Sequence, residues 1–224
     1  MIKLQALKKQ YPNQTQFALD DLSISISRGE KVALMGPSGC GKSTLLNIIA
    51  GLDHFNEGEA SVLNNNWFLA SDDMKTQIRK KEMGFVFQFF NLLPTLTVEE
   101  NIALPLALNN FSLASQKQKV SLIAEQVGLV DKLERYPSQL SGGQMQRCAI
   151  ARALIHQPQL ILADEPTGNL DSQTSEEILT LLDDLCTEHN QTLLMVTHNI
   201  EATRIATRLI EMKDGRVLKD TALK

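Results

Sequence analysis

No apolar run in this chain approaches the about 18 consecutive residues that a membrane-spanning helix needs. The opening Met1-Ile2-Lys3-Leu4-Gln5 alternates in polarity and lacks the apolar stretch of a secretory leader. The expectation is a chain that does not cross a membrane itself; if it serves one, a partner supplies the spanning helices. Cysteine is scarce. Cys40, Cys148 and Cys186 show neither paired nor metal-like spacing, which predicts free thiols in a reduced cytosolic setting and no zinc site. Excess basic charge is missing too: 22 Lys and Arg against 26 Asp and Glu leave a formal net charge of -4. That balance argues against nonspecific attraction to nucleic acid or an anionic bilayer. Repeats, linkers and low-complexity tracts are not found. What is present, 224 residues of which 43% are hydrophobic, suffices for one domain or one domain with an inserted lobe.

Periodicity orders the chain. Leu22, Ile24 and Ile26 alternate with Ser23, Ser25 and Ser27, and a turn at Arg28-Gly29-Glu30 leads into the apolar run Val32-Ala33-Leu34-Met35, a buried strand. Leu45, Leu46, Ile48 and Ile49 then suit a helix ended by Gly51. From about Thr95 to Ile155 the pattern turns helical. Thr97-Val98-Glu99-Glu100 predicts a capping box, and Val120, Ile123, Ala124 and Val127 form an apolar face that stops at Gly128. Strand and helix alternate again afterwards, with strands at Leu160 to Ala163 and Thr192 to Val196 around a helix from Ile178 to Leu185. An Asp214-Gly215 turn predicts a closing hairpin between Leu209-Ile210-Glu211-Met212 and Arg216-Val217-Leu218. The expected organisation is one domain over 1–224, with a core lobe at about 1–91 and 157–224 and a helical lobe inserted at about 92–156.

Chemistry concentrates at strand ends. The run Gly36-Pro37-Ser38-Gly39-Cys40-Gly41-Lys42-Ser43-Thr44 lies between a strand and a helix. Its glycines permit backbone conformations that turn successive N–H groups inward on phosphates. Lys42 adds charge and Ser43 a hydroxyl for Mg²⁺, at the positive end of the following helix. The apolar strand Leu160 to Ala163 ends in Asp164-Glu165, two carboxylates that point to opposite sides of an extended segment. Asp164 is expected to hold Mg²⁺ and Glu165 to polarise an attacking water. Gln88, after Phe85-Val86-Phe87, and His198, after Leu193 to Thr197, have the same placement. Cys40 leaves two readings open: a thiol made reactive by Lys42 and the helix start, or a small residue that merely fits.

These residues, together with Leu140-Ser141-Gly142-Gly143-Gln144, make the whole chain resemble the nucleotide-binding subunits of ABC transporters. The resemblance implies an α/β fold: a P-loop NTPase, RecA-like core with an antiparallel β subdomain and an inserted α-helical subdomain. It implies that Gln88 is a Q-loop residue touching the metal, Asp171 a D-loop residue, His198 the switch histidine, and Tyr11 the ring that stacks on adenine. It also implies an ATP-dependent head-to-tail dimer of two copies, in which Ser141, Gly142, Gly143, Gln144 and Asp171 of one chain meet ATP held by the other. A glycine-containing helix start is physically suited to that contact.

The stretches Phe85 to Pro94 and Ala163 to Asp171 look like the branch serving lipoprotein release, macrolide efflux and cell division. There the partner is a permease of four transmembrane helices with a large extracytoplasmic domain, and the ATPase sits on the cytoplasmic face. Phe89 to Leu93 are then expected in the groove that receives the permease. Asn199 departs from the Asp that many relatives carry, and Arg135-Tyr136-Pro137 from the acidic, glycine-containing loop of many exporters. A non-transporting complex that regulates an extracytoplasmic enzyme is the second function class considered. An ATPase acting on nucleic acid or ribosomes is the third, disfavoured by the acidic balance and by the lack of a coiled-coil insertion or second cassette.

Overall fold

The computed structural model describes residues 1–223. The chain begins with two antiparallel strands, β1 (Ile2–Lys9) and β2 (Leu19–Ile26), in which Leu22, Ile24 and Ile26 face inward and the serines outward. The buried strand β3 (Lys31–Met35) follows and leads through the glycine loop into α1 (Lys42–Ile49). Next come β4 (Glu57–Val62), the two-residue β5 (Asn65–Asn66), α2 (Asp72–Glu82) and β6 (Met83–Phe87). Three helices occupy the middle: α3 (Val98–Leu108), α4 (Leu113–Val127) and α5 (Gly142–Leu154). The chain closes with β7 (Leu160–Asp164), α6 (Ser172–Glu188), β8 (Thr192–Val196), β9 (Arg208–Lys213) and β10 (Arg216–Ala222).

Two sheets result. One has the order β2-β1-β4-β5 and is antiparallel. The other has the order β10-β9-β3-β8-β7-β6, parallel throughout except for the β9-β10 hairpin. Because successive side chains leave a strand on opposite sides, the parallel sheet feeds two cores. Val32, Leu34, Leu160, Leu162, Leu194 and Val196 pack with α1, Trp67 and the antiparallel sheet. Ala33, Ile161, Ala163, Leu193 and Met195 pack with the helices on the other face. Every residue of β8 is buried, as expected of a strand covered on both faces. The predicted α/β fold and its strand-loop-helix rhythm are found.

The start of α3 and the end of α4 lie where the sequence predicts them. Thr97 Oγ1 accepts from Glu100 N at 3.3 Å while Thr97 N donates to Glu100 Oε2 at 2.8 Å, and α4 ends at Gly128 with φ 69°. Helix α5 crosses β6 so closely that a Cβ on Gly84 would lie 2.2 Å from Ala153 O.

One buried polar residue carries a loop. Asn101 is fully buried; its Nδ2 donates to Leu93 O, Leu96 O and Thr97 O, and its Oδ1 accepts from Leu93 N at 2.8 Å. Asn101→Leu strips Leu93 N–H and Leu96 O of their side-chain partner, while Leu93 O and Thr97 O keep backbone bonds from Leu96 N and Asn101 N, and is expected to lower unfolding free energy by about 2–4 kcal/mol, measured by urea denaturation. A loss below about 0.5 kcal/mol contradicts this assignment.

Candidate functional site

The parallel register sets the site. Asp164 pairs with Phe87 on one side and Val196 on the other, so Gln88, Asp164, Glu165 and His198 emerge together beside the loop that follows β3. Within that loop Gly41 has φ 101° and is the N-cap of α1 with no side-chain cap, so its first N–H groups are free for an anion. A Cβ on Gly41 would meet Ala18 O at 2.2 Å. Lys42 Nζ donates to Gly36 O at 2.7 Å and Pro37 O at 3.0 Å, curling its charge over the loop.

A cleft of about 540 Å³ gathers most of the predicted residues: Tyr11, Gly36, Ser38, Gly39, Gly41, Lys42, Ser43, Thr44, Gln88, Asp164, Glu165 and His198. Pro37 and Cys40 do not line it. Cys40 is buried, its Sγ turned into the core beneath the loop, 2.7 Å from where a Gly36 Cβ would stand. Lys42 Nζ lies 3.8 Å from the same Sγ, so the thiol is both buried and beside a cation. Cys148 and Cys186 are buried free thiols pushed up to about 12 by burial.

At the rim, Tyr11 donates to Asp53 Oδ2 at 2.9 Å and sits 3.3 Å from Thr44 Oγ1, with Lys9 Nζ over its ring at 4.7 Å. Lys9 also pairs with Asp53 at 2.6 Å. Burial alone would raise the Asp53 pKa, but the bonds from Lys9, Tyr11 and His54 N–H outweigh it and hold the carboxylate below its ordinary range. Lys9 and Asp53 therefore fix the tyrosine at the cleft edge.

At the strand end the two acids differ in setting, but not through extended alternation: β7 stops at Asp164 and Glu165 turns into the left-handed region. Burial pushes the Asp164 pKa up, the neighbouring Glu165 charge adds to this, and Lys42 opposes it. Glu165 has φ 48° and anchors its N–H on Val196 O at 2.9 Å. Its carboxylate lies 2.8 Å from His198 Nδ1 and accepts from His198 N at 3.3 Å. Gln88 is held from the side: Asn169 Nδ2 donates to its carbonyl at 2.9 Å, and its Nε2 lies 3.4 Å from Asn169 Oδ1.

The second predicted cluster lies apart. Ser141 caps α5, accepting from Gln144 N at 3.3 Å while Ser141 N donates to Gln144 Oε1 at 2.9 Å. Asp171 caps α6 through Thr174 N at 2.9 Å and Thr174 Oγ1 at 2.6 Å. These two helix starts touch: a Cβ on Gly143 would lie 2.6 Å from Thr174 Cγ2, and one on Gly142 3.2 Å from Leu170 Cδ2. Neither Ser141 to Gln144 nor Asp171 lines the phosphate cleft.

A family model described as "ABC transporter" matches residues 19–168. The chain belongs to the ABC transporter ATP-binding family. It is 45% identical over 230 residues to the uncharacterized ABC transporter ATP-binding protein MJ0796 of Methanocaldococcus jannaschii, covering 100% of this chain and 98% of that one. A solved structure, described as a dimeric post-hydrolysis state of the MJ0796 cassette bound to ADP and Pi, superimposes with TM-score 0.91 at 43% identity, covering 100% and 99% of the two chains. The lipoprotein-releasing system ATP-binding protein LolD of Legionella pneumophila is 41% identical over 94% of both chains. The macrolide export ATP-binding/permease protein MacB of Photorhabdus laumondii is 41% identical over 99% of this chain but 34% of its own length. This cassette is thus an ATP-binding, ATP-hydrolysing subunit of the LolD and MacB branch.

The roles of three residues of the cassette are not given by the sequence, although Gln146 follows the Leu140 to Gln144 run and Asn169 stands in the Ala163 to Asp171 stretch. Gln146, fully buried on α5, donates to Pro166 O next to Glu165, and its Oε1 has no partner among the described residues. Asn169 clasps Gln88. Arg152 donates to Phe90 O at 2.8 Å and Asn91 O at 2.6 Å. All three act on backbone or side chains far away in sequence, which no local pattern reveals.

Proposed function

We propose that two copies of this cassette close head-to-tail around two ATP molecules and, on hydrolysis, part again to drive a separate membrane permease. One observation carries the reading: the chain divides the necessary groups between two surfaces. Lys42, Ser43, Asp164, Glu165 and His198 surround one cleft, whereas Ser141 to Gln144 and Asp171 sit at two helix starts outside it. Bringing a partner's helix start to the γ-phosphate supplies the missing wall. The dimeric description of the MJ0796 cassette supports the same arrangement.

In this reading the N–H groups of the Gly36 to Thr44 loop and Lys42 bind the phosphates, and Tyr11 meets the adenine at the rim. The Ser43 hydroxyl, Asp164 carboxylate and Gln88 amide line the same cleft and are all oxygen donors, which fits Mg²⁺ with water and phosphate completing its shell. Lying against a cation also suits an Asp164 whose charge burial disfavours. When bound, Mg²⁺ would neutralise phosphate charge. Glu165 holds and polarises the attacking water, while His198, its neighbour, orients the carboxylate and reaches toward the γ-phosphate. The core lobe at 1–91 and 157–224 and the helical lobe at 92–156 are the moving parts.

A groove of about 600 Å³ between α2, β6, α3 and α5 is the permease site in this reading. Phe85, Phe87, Leu93, Leu104 and Leu108 line it. Phe89 is 72% exposed, whereas Leu92 turns into the core, so the predicted run is split between surface and interior. Exposed apolar side chains along a groove suit an amphipathic helix. No helix among the described residues is long and apolar enough to cross a membrane. The names of the MacB and LolD relatives, a macrolide export ATP-binding/permease protein and a lipoprotein-releasing system ATP-binding protein, support a membrane permease as partner. In this reading it has four transmembrane helices and a large extracytoplasmic domain, works in export, lipoprotein release or mechanotransmission, and holds the cassette on its cytoplasmic face. Light scattering of the Glu165→Gln form tests the dimer: ATP should double the mass and ADP should not. A monomer in saturating ATP contradicts the reading.

A further inference from the structure

Downstream of Gln88 the backbone does something costly. Phe90 and Asn91 lie consecutively in the left-handed region, with φ 61° and 48°. Side-chain-bearing residues rarely adopt that conformation, and a bulky aromatic least of all. Such a turn persists only when something holds it.

Local bonds, Phe90 N to Phe87 O at 3.2 Å and Asn91 N to Phe89 O at 2.6 Å, satisfy the turn's N–H groups, and its carbonyls have a distant holder. Arg152, projecting from α5, places Nη2 on Phe90 O at 2.8 Å and Nη1 on Asn91 O at 2.6 Å. The planar fork of a guanidinium matches two adjacent carbonyls in a way one ammonium cannot. Among the described residues no carboxylate is bonded to it, and burial presses its pKa downward. A half-buried cation spent wholly on two neutral carbonyls is unusual if folding alone is served. Both Arg152 and Asn91 line the apolar groove, and Gln88 lies two residues before Phe90.

We propose that Arg152 is a positioning residue for hydrolysis: by holding the Phe90-Asn91 turn in its left-handed form, it fixes where the Gln88 amide stands in the phosphate cleft. The inference rests on the reading of Gln88 as a cleft residue that meets the cation and water. Asn169 clasps Gln88 from one side, and Arg152 sets the chain that leaves it. Without the guanidinium the turn relaxes and Gln88 withdraws, while the phosphate loop and Lys42 stay in place. Turnover then falls and nucleotide affinity does not. Because Arg152 lines the groove, a docked helix that moved it would reach the cleft by the same path.

The test uses glycine, which takes the left-handed conformation freely. Steady-state ATP turnover, ATP affinity in EDTA and thermal melting are measured for Arg152→Met, Arg152→Lys, Asn91→Gly and the two doubles with Asn91→Gly. Arg152→Met is expected to lower kcat about tenfold with ATP affinity within about twofold, and Arg152→Lys to fall between it and the wild type. Adding Asn91→Gly should restore kcat to within about threefold of the wild type. A role limited to packing would not be repaired by a glycine in the loop. Arg152→Met with unchanged kcat, or a double no faster than the single, overturns the assignment. If Arg152→Met does not fold, the Arg152→Lys pair decides by the same comparison. Turnover that is sensitive to Glu165→Gln but not to Arg152→Met overturns this inference while leaving the proposed function standing.

Discussion

Glu165→Gln lowers single-turnover ATP hydrolysis by about 10²–10⁴-fold, the usual contribution of a positioned general base. The geometry makes this variant a clean one. Glu165 leaves β7 in a left-handed conformation with its N–H tied to Val196 O, so the backbone that aims the side chain is fixed independently of its charge. Glutamine keeps the size and an oxygen that can accept from His198. What it removes is the capacity to take a proton from water. Phosphate release in a quenched-flow experiment measures the effect, and filter binding should show ATP retained. Hydrolysis within about threefold of the wild type would remove Glu165 from the role and leave His198 and Asp164 as the other candidate bases in the cleft.

Gly41→Ala is expected to weaken ATP binding by about 10–100-fold, for a purely steric reason. At φ 101° an added Cβ would lie 2.2 Å from Ala18 O. Ala18 cannot yield freely, because its N–H is bonded to Lys9 O at 2.7 Å in the approach to β2. The first turn of α1 must shift, and with it the N–H groups that face the phosphates. Gly39 offers the contrast: its φ is 78°, yet nothing lies within 4 Å of its Cβ position. Gly39→Ala therefore carries backbone strain without collision and should weaken binding less. Titration with a fluorescent ATP analogue separates the two. Equal affinities for both variants would show that loop strain, not the contact with Ala18, sets the position of the helix start.

The parallel sheet was legible because strands covered on both faces read as near-continuous apolar runs, and Leu160 to Ala163 and Thr192 to Val196 show this plainly. Glycines and caps marked the phosphate loop, α3 and the end of α4 for equally local reasons. Helix α2 went unread, since only Lys75 among its residues is buried and its apolar side is limited to Met74 and Ile78. The clasp of Lys9 and Asp53 on Tyr11 also left no trace in the sequence. Asn101, Gln146 and Arg152 share one cause: each is a polar side chain whose partners are backbone groups set by tertiary packing. Such partners have no period and no motif. Cys40 is open on sequence because its neighbours suggest reactivity, and the structure keeps both features, burial beneath Gly36 and Lys42 Nζ 3.8 Å from the Sγ.

The division of catalytic groups between two copies is tested most directly by mixing two inactive variants. Lys42→Ala disables the phosphate loop, and Ser141→Arg disables the helix start that faces the other chain's nucleotide. Neither alone should hydrolyse ATP. In a mixed dimer one pocket combines the intact loop of the serine variant with the intact helix start of the lysine variant. Equimolar mixing should therefore restore about a quarter of wild-type turnover, since half the dimers are mixed and each holds one good site. Turnover that stays at the background of the separate variants, with mixed dimers demonstrably formed, would contradict a shared pocket.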